Sequence, residues 1–222
     1  MKNNHNGQRK TRSVQTRIPE LGYYLIITDG KETEKNYFNG LRDSLPNEIK
    51  DKIVITTITT DTKSLKYRVI EEQARQTGFR KTWVVFDKDQ NTEFDSLIEE
   101  TKSLGASVGW SNPCFEIWMN AYFGEMPNYE TSTACCQGFA KTFKNKVEKE
   151  YKKNDEDIYK RLNQFGNETK AISIAETKLK EASKKTEIPS EMCPTTTVHE
   201  LIKEIRCNVK SNLESKAKQS EG

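Results

Sequence analysis

The chain has 222 residues, enough for one ordinary domain or for one domain with a smaller appendage, and long enough to bury a core. Hydrophobic residues make up 33% and charged residues 31%, the net charge is +3 and the mean hydropathy is -0.87, which argues for much exposed helix surface and against wholesale disorder. No apolar run approaches the roughly 20 residues of a membrane span, and the opening MKNNHNGQRKTRS lacks the apolar stretch of a signal peptide, so a cytoplasmic protein with no membrane partner is expected.

Residues 1–20 hold five basic residues (Lys2, Arg9, Lys10, Arg12, Arg17) against one acid, Glu20. This segment reads as a basic, solvated and disordered leader that could also reach toward phosphates. YYLIITDG (23–30) then has the pattern of a buried strand ended by an Asp-Gly turn. In the next stretch Tyr37, Phe38, Leu41 and Leu45 recur at helical spacing. KIVITTIT (52–59) predicts a second strand, followed by a helix with Leu65, Val69, Ile70 and Ala74 on one face and Gly78 as its C-cap. TWVVF (82–86) predicts the third strand, TEFDSLIEETKSLG a third helix and ASVGW (106–110) a fourth strand. SNPCFEIWMNAYF (111–123) reads as a helix with Asn112 as N-cap and Pro113 in first position.

Strand and helix alternate through this stretch, the order expected of a parallel sheet flanked by helices and linked by right-handed crossovers. The pattern breaks near residue 125, at Gly124, Pro127 and Asn128. Beyond it come Lys- and Glu-rich helices carrying Phe139, Phe143 and Val147, then Ile158, Leu162 and Phe165, then Ile172, Ile174, Ala175 and Leu179. A last helix in TTTVHELIKEIRCNVKSNLESKAKQSEG, N-capped by a threonine and burying Val198, Leu201, Ile202 and Ile205, frays into a polar tail. The expected organisation is a tail over 1–20, an α/β domain over 21–125 and a helical region over 126–222.

Ligands of an open parallel sheet bind where the strands' carboxyl ends meet the loops. Asp29 ends the first strand, Asp87 and Asp89 end the third, and Asn112 with Glu116 lies just past the fourth; Glu32 and Glu34 follow the first strand closely. Carboxylates crowded on one rim repel each other unless a cation neutralises them, and a hard divalent ion such as Mg²⁺ (or Mn²⁺) meets that need with oxygen ligands. Taken singly, Asp87 and Asp89 could be turn chemistry, Glu34 a first-turn acid and Asn112 a cap; their coincidence on one rim is what points to a metal. Lys31 and Lys88 are solvated charges or phosphate contacts. Asp61 reads as ordinary loop. His199, alone on its helix, reads as structural, and the five cysteines (114, 135, 136, 193, 207), with no CxxC pair, read as reduced structural thiols without a zinc site. No GxxxxGK[ST] loop is present, so ATP hydrolysis by that route is not expected.

Four blocks in order, IITDGKETEKNYFNGL, WVVFDKDQ, SNPCFEIWMNAYF and CPTTTVHELI, resemble the RloB-like family over about residues 21–205. The resemblance implies an N-terminal half similar to the Toprim fold, a Mg²⁺-dependent phosphodiester-cleaving activity in bacterial anti-phage (abortive infection) defence, and an ABC-type or AAA-type ATPase encoded beside it as partner. It implies catalytic and metal-binding roles for Asp29, Glu34, Asp87 and Asp89, and Glu116 matches a further family block; from their places on the rim, Lys31, Lys88, Asn112 and Glu116 are read as candidate phosphate or substrate contacts. The family usually has glutamate before the glycine that is Gly30 here, and this chain has Asp29, shorter by one methylene. Two readings follow: a nuclease acting on DNA or RNA, transfer RNA included, and a non-catalytic Toprim-like module that binds and regulates the ATPase. Nucleotide or phosphate binding at the same rim without cleavage is a third, and self-association is compatible with each.

Overall fold

The computed structural model describes residues 21–50, 52–75 and 80–220. The basic segment 1–20 and Gly78 lie outside them. Five strands, β1 (Tyr23–Thr28), β2 (Val54–Thr59), β3 (Arg80–Asp87), β4 (Ser107–Asn112) and β5 (Thr195–Thr196), form one sheet in the order β2-β1-β3-β4-β5. The first four run parallel, and β5 pairs antiparallel with β4 through Ser111 and Asn112. The chain steps from β1 outward to β2 and then crosses back over β1 to β3. The gap between the carboxyl ends of β1 and β3 is therefore the point where the winding reverses, and loops leaving it in opposite directions open a crevice there.

Both faces of this sheet are covered, which is why its inner strands read as unbroken apolar runs. Successive side chains alternate between faces. Tyr24, Ile26, Trp83 and Val85 join one apolar layer, and Leu25, Ile27, Val84 and Phe86 join the other. The second layer is closed by α3 (Leu65–Ala74), through Leu65 and Val69, and by α4 (Phe94–Ser103), through Phe94 and Ile98. The first is larger. It takes in α1 (Thr33–Asp43), the short α2 (Asn47–Lys50), α5 (Glu116–Tyr122), α6 (Ser132–Val147), α7 (Ile158–Phe165), α8 (Glu168–Ser183) and α9 (Val198–Ser220). Tyr37, Phe38, Trp118, Phe139, Phe143 and Leu201 all belong to this one cluster, so the apolar core runs across residue 125 without a break.

Several local expectations are corrected. Asn112 is not an N-cap: it ends β4 opposite Thr195, and its amide donates to the carbonyls of Ser190 (2.9 Å) and Pro189 (3.3 Å). The helix that follows starts only at Glu116, after a cis Asn112-Pro113 bond. Thr195 and Thr196 are strand rather than cap, although the Thr196 hydroxyl does accept from the Val198 N–H at the start of α9. Ile70 and Phe165, expected on buried faces, are exposed, and the C-terminal segment stays helical to Ser220. His199 is buried with Nδ1 on the Thr196 carbonyl oxygen (3.0 Å), and burial pulls its pKa down. Among the described residues, no helix is long and apolar enough to cross a membrane.

Candidate metal and phosphate site

A cavity of about 950 Å³ opens at the crevice between β1 and β3. Asp29 leaves the end of β1, its N–H bonded to the Val85 carbonyl (3.3 Å). Asp87 is the last residue of β3, opposite Ser111 of β4. Two residues later Asp89 takes a left-handed conformation (φ 33°), its N–H bonded to the Pro113 carbonyl at 2.9 Å. Positive φ is uncommon outside glycine and better tolerated by aspartate than by bulky residues, and here it turns the loop sharply back over the rim. Glu34 comes from the first turn of α1, and Glu116 opens α5. All five acids line the cavity.

Gly30 has a specific task in this arrangement. A Cβ on it would meet Glu34 Oε2 at 1.6 Å, so the absence of a side chain is what lets the Glu34 carboxylate lie against the β1 turn beside Asp29. Electrostatics report the crowding. Burial raises Glu34 to about 7, with the charges of Asp29 and Glu116 adding to the effect and Lys153 opposing it. Asp29 is pushed up to about 6, first by burial and further by Asp89, while a hydrogen bond from the Thr62 hydroxyl (3.0 Å) pulls the other way. Asp87 is held well above the usual carboxylate range by burial and then by Glu34, Asp29 and Glu116; a backbone N–H of Phe115 offsets part of this. Its Oδ1 is buried without a hydrogen-bond partner. A buried carboxylate oxygen facing other acids with nothing to bond is the kind of group a hard cation such as Mg²⁺ or Mn²⁺ would satisfy.

The remaining expected residues divide. Lys31 is exposed on the cavity rim. Lys88 is outside the cavity lining, and the Asn112 side chain is held by the loop at Pro189 and Ser190. Neither is brought to the rim. The structure adds residues that the sequence reading missed. Tyr151, in the loop after α6, donates to Glu116 Oε1 at 3.0 Å, and Lys153 Nζ stands 3.9 Å from the same oxygen. The Glu116 charge is the first cause of the raised pKa of Lys153, and Glu34 contributes. On the opposite wall the 3-10 turn Thr62–Ser64 and the start of α3 bring Thr62, exposed Lys63 and Tyr67, the last with 69% of its surface open. Nothing local in the sequence marks these groups, because each reaches the rim through packing between distant segments.

All five cysteines are free thiols, as expected, and packing brings two of them together. Cys114, in the loop between β4 and α5, and Cys136, on α6, face each other with Sγ atoms 3.9 Å apart. Together with a Glu116 oxygen they form a set whose donor atoms all lie within 4.8 Å of one another. Among the described residues no three donors of the Asp29, Glu34, Asp87 and Asp89 group come that close. The thiols are held in the protonated form, Cys114 first by its hydrogen bond with Cys135 and Cys136 first by its hydrogen bond with Cys114.

A family model described as RloB-like protein matches residues 24–205. No curated protein and no solved structure matches the chain. The matched span contains both apolar layers' strands, every rim acid, Tyr151, Lys153 and the β5 pairing, so the whole architecture that builds the cavity falls within it. This chain belongs to the RloB-like family.

Proposed function

We propose that this protein is a Toprim-like, metal-dependent nuclease that hydrolyses phosphodiester bonds of DNA or RNA at the β1–β3 crevice. The observation that carries the reading is the buried, unpartnered Asp87 Oδ1 beside Asp29, Glu34 and Glu116, with Asp29, Glu34 and Asp87 all raised above the usual carboxylate range, first by burial. Asp29, Glu34, Asp87 and Asp89 would hold Mg²⁺ or Mn²⁺. Such an ion, when bound, lowers the pKa of a coordinated water and stabilises charge on a phosphate oxygen.

The chain's own residues supply the rest. Glu34 packs on Gly30 at the turn that follows β1 and feels the charge of Asp29. This supports Glu34 as the group that replaces the reach lost by having Asp29 in place of the family's usual glutamate. Lys31, Lys63 and Lys153 ring the opening and can hold a phosphate backbone, while exposed Tyr67 offers a face for a base to stack on. The partner ATPase and the role in anti-phage defence belong to the same reading through the family. Incubating purified protein and Mg²⁺ or Mn²⁺ with DNA and RNA, transfer RNA included, alone and with its ATPase, tests it. Cleavage that disappears in Asp87→Ala is expected; no cleavage under any condition, or equal cleavage by the variant, counts against it.

A second reading, a non-catalytic module that regulates the ATPase, is favoured by the strand-end acids not closing to a three-donor set. Binding to the ATPase and toxicity that both survive loss of Asp87 and Asp89 together would select it.

A further inference from the structure

Three donors stand at the inner wall of the cavity that the nuclease reading does not use as ligands. They are the Cys114 and Cys136 thiols and the Glu116 carboxylate. We propose that they bind a thiolate-preferring divalent cation of the zinc class, at a place separate from the hard-ion position between β1 and β3.

Geometry carries this first. Two sulfurs at ~2.3 Å from a tetrahedral Zn²⁺ stand about 3.8 Å apart. The observed Sγ···Sγ separation is 3.9 Å, and the Glu116 oxygen already lies within 4.8 Å of both. A disulfide needs about 2.05 Å, so closing one requires Cys114 or Cys136 to move by nearly the length of a bond, whereas the two sulfurs already stand at the spacing a tetrahedral ion sets. Donor chemistry separates the two positions. Thiolates select zinc-like ions and repay Mg²⁺ poorly, while the four strand-end acids offer only oxygen.

The surroundings are those of a held ligand set. Cys114 and Glu116 are almost fully buried, at 4% and 3% exposure, and lie on either side of Phe115 where β4 turns into α5. Tyr151 donates to Glu116 Oε1 and is itself in contact with the Thr33 hydroxyl (3.3 Å), which fixes the carboxylate's orientation as outer-shell partners do in metal sites. Three protein ligands leave a fourth position, and because all three residues line the cavity that position faces its solvent. On binding, each thiol gives its proton to solvent and the thiolate donates its lone pair to the cation, so two protons leave for each ion bound. Glu116 is the wall common to the soft set and to the rim acids, since its charge also raises Asp87 and Glu34.

The test uses the full chain, stripped of metal and kept reduced, with no nucleic acid present. Zn²⁺ and Co²⁺ are titrated separately and followed by elemental analysis, by the thiolate-to-Co²⁺ charge-transfer band, and by protection of cysteine peptides from alkylation in mass spectrometry. Stoichiometric zinc, a charge-transfer band, and protection of Cys114 and Cys136 but not of exposed Cys193 and Cys207 are expected. Cys114→Ser and Cys136→Ser should each weaken binding by more than the roughly 10–100-fold that outer-shell partners are worth. Asp87→Asn should leave it intact, which keeps this result separate from the nuclease reading. Absence of the charge-transfer band in the wild type, protection that does not include these two thiols, or zinc retained undiminished in both serine variants overturns the proposal. The wild-type spectrum and protection pattern decide the matter even where a variant fails to fold.

Discussion

Two sets of carboxylates in this molecule are provisioned in opposite ways. In the helical region Glu168 accepts from Tyr159 (2.7 Å) and Tyr122 (3.2 Å) and pairs with Arg206 through Nε at 2.6 Å, while Tyr37 bonds to Tyr122 behind it at 2.7 Å. The network ties α1, α5, α7, α8 and α9 together, and the carboxylate has a full complement of donors. At the β1–β3 crevice, Asp29, Glu34 and Asp87 crowd one another and Glu116, the lysines stand at the edge, and an Asp87 oxygen has no partner. Acids kept for stability are satisfied within the chain. Acids left unsatisfied cost stability, and the arrangement makes sense if their counter-charge comes from outside.

Substitutions that swap these conditions should break the comparison. Asp87→Asn has the largest expected effect: Mg²⁺-dependent cleavage falls by more than about 100-fold, beyond the loss usual for outer-shell groups, while the ion-free protein melts higher because a disfavoured charge is gone. Gel assays and calorimetry read the two halves of that outcome. Arg206→Leu does the reverse in the satisfied network, where leaving Glu168 without its cation should cost about 3 kcal/mol in denaturant unfolding. Gly30→Ala sharpens the account of the crevice, since the added carbon would overlap Glu34 Oε2 and drive the carboxylate away. Its expected signature is Mg²⁺ affinity reduced about 10-fold with little change in melting of the ion-free protein. Tyr67→Ala should have the smallest effect. With 69% of the residue exposed, folding stays within about 0.5 kcal/mol, and single-strand binding measured by fluorescence anisotropy weakens by about 1–3 kcal/mol.

Much of the crevice was legible in the sequence because its parts are local. Apolar runs that stop at Asp29 and at Asp87 announce strand ends, and right-handed crossovers between parallel strands put both ends on one rim. The Glu34 spacing from Gly30 places it in the first turn of α1. What stayed hidden depends on contacts with no local pattern. β5 is two threonines, too short for any periodicity, yet its pairing with β4 keeps Ser111 and Asn112 extended and so delays the helix to Glu116. Tyr151 and Lys153 sit in a polar loop that looks like any other until α6 carries it back to Glu116. Cys114 and Cys136 are 22 residues apart with no metal-binding spacing, and only the packing of α6 beside the β4–α5 turn brings them together.

The central claim, that the crevice acids await a hard cation, is tested most directly by melting the protein across pH with and without Mg²⁺. Glu34 and Asp29 rise from 4.5 and 3.8 to about 7 and about 6 on folding, so the folded state holds more protons than the unfolded one in that window. Well below pH 3.8 both states are protonated and the acids cost nothing. As pH climbs from about 4 to 7 the ion-free protein should lose stability, on the order of 3 kcal/mol for each group. Mg²⁺ should offset part of that loss, adding about 2.7 kcal/mol at 100 times its Kd, and should do nothing for Asp87→Asn. An ion-free stability that is flat or rises over this range, or a Mg²⁺ effect that is absent or equal in the variant, would contradict the account.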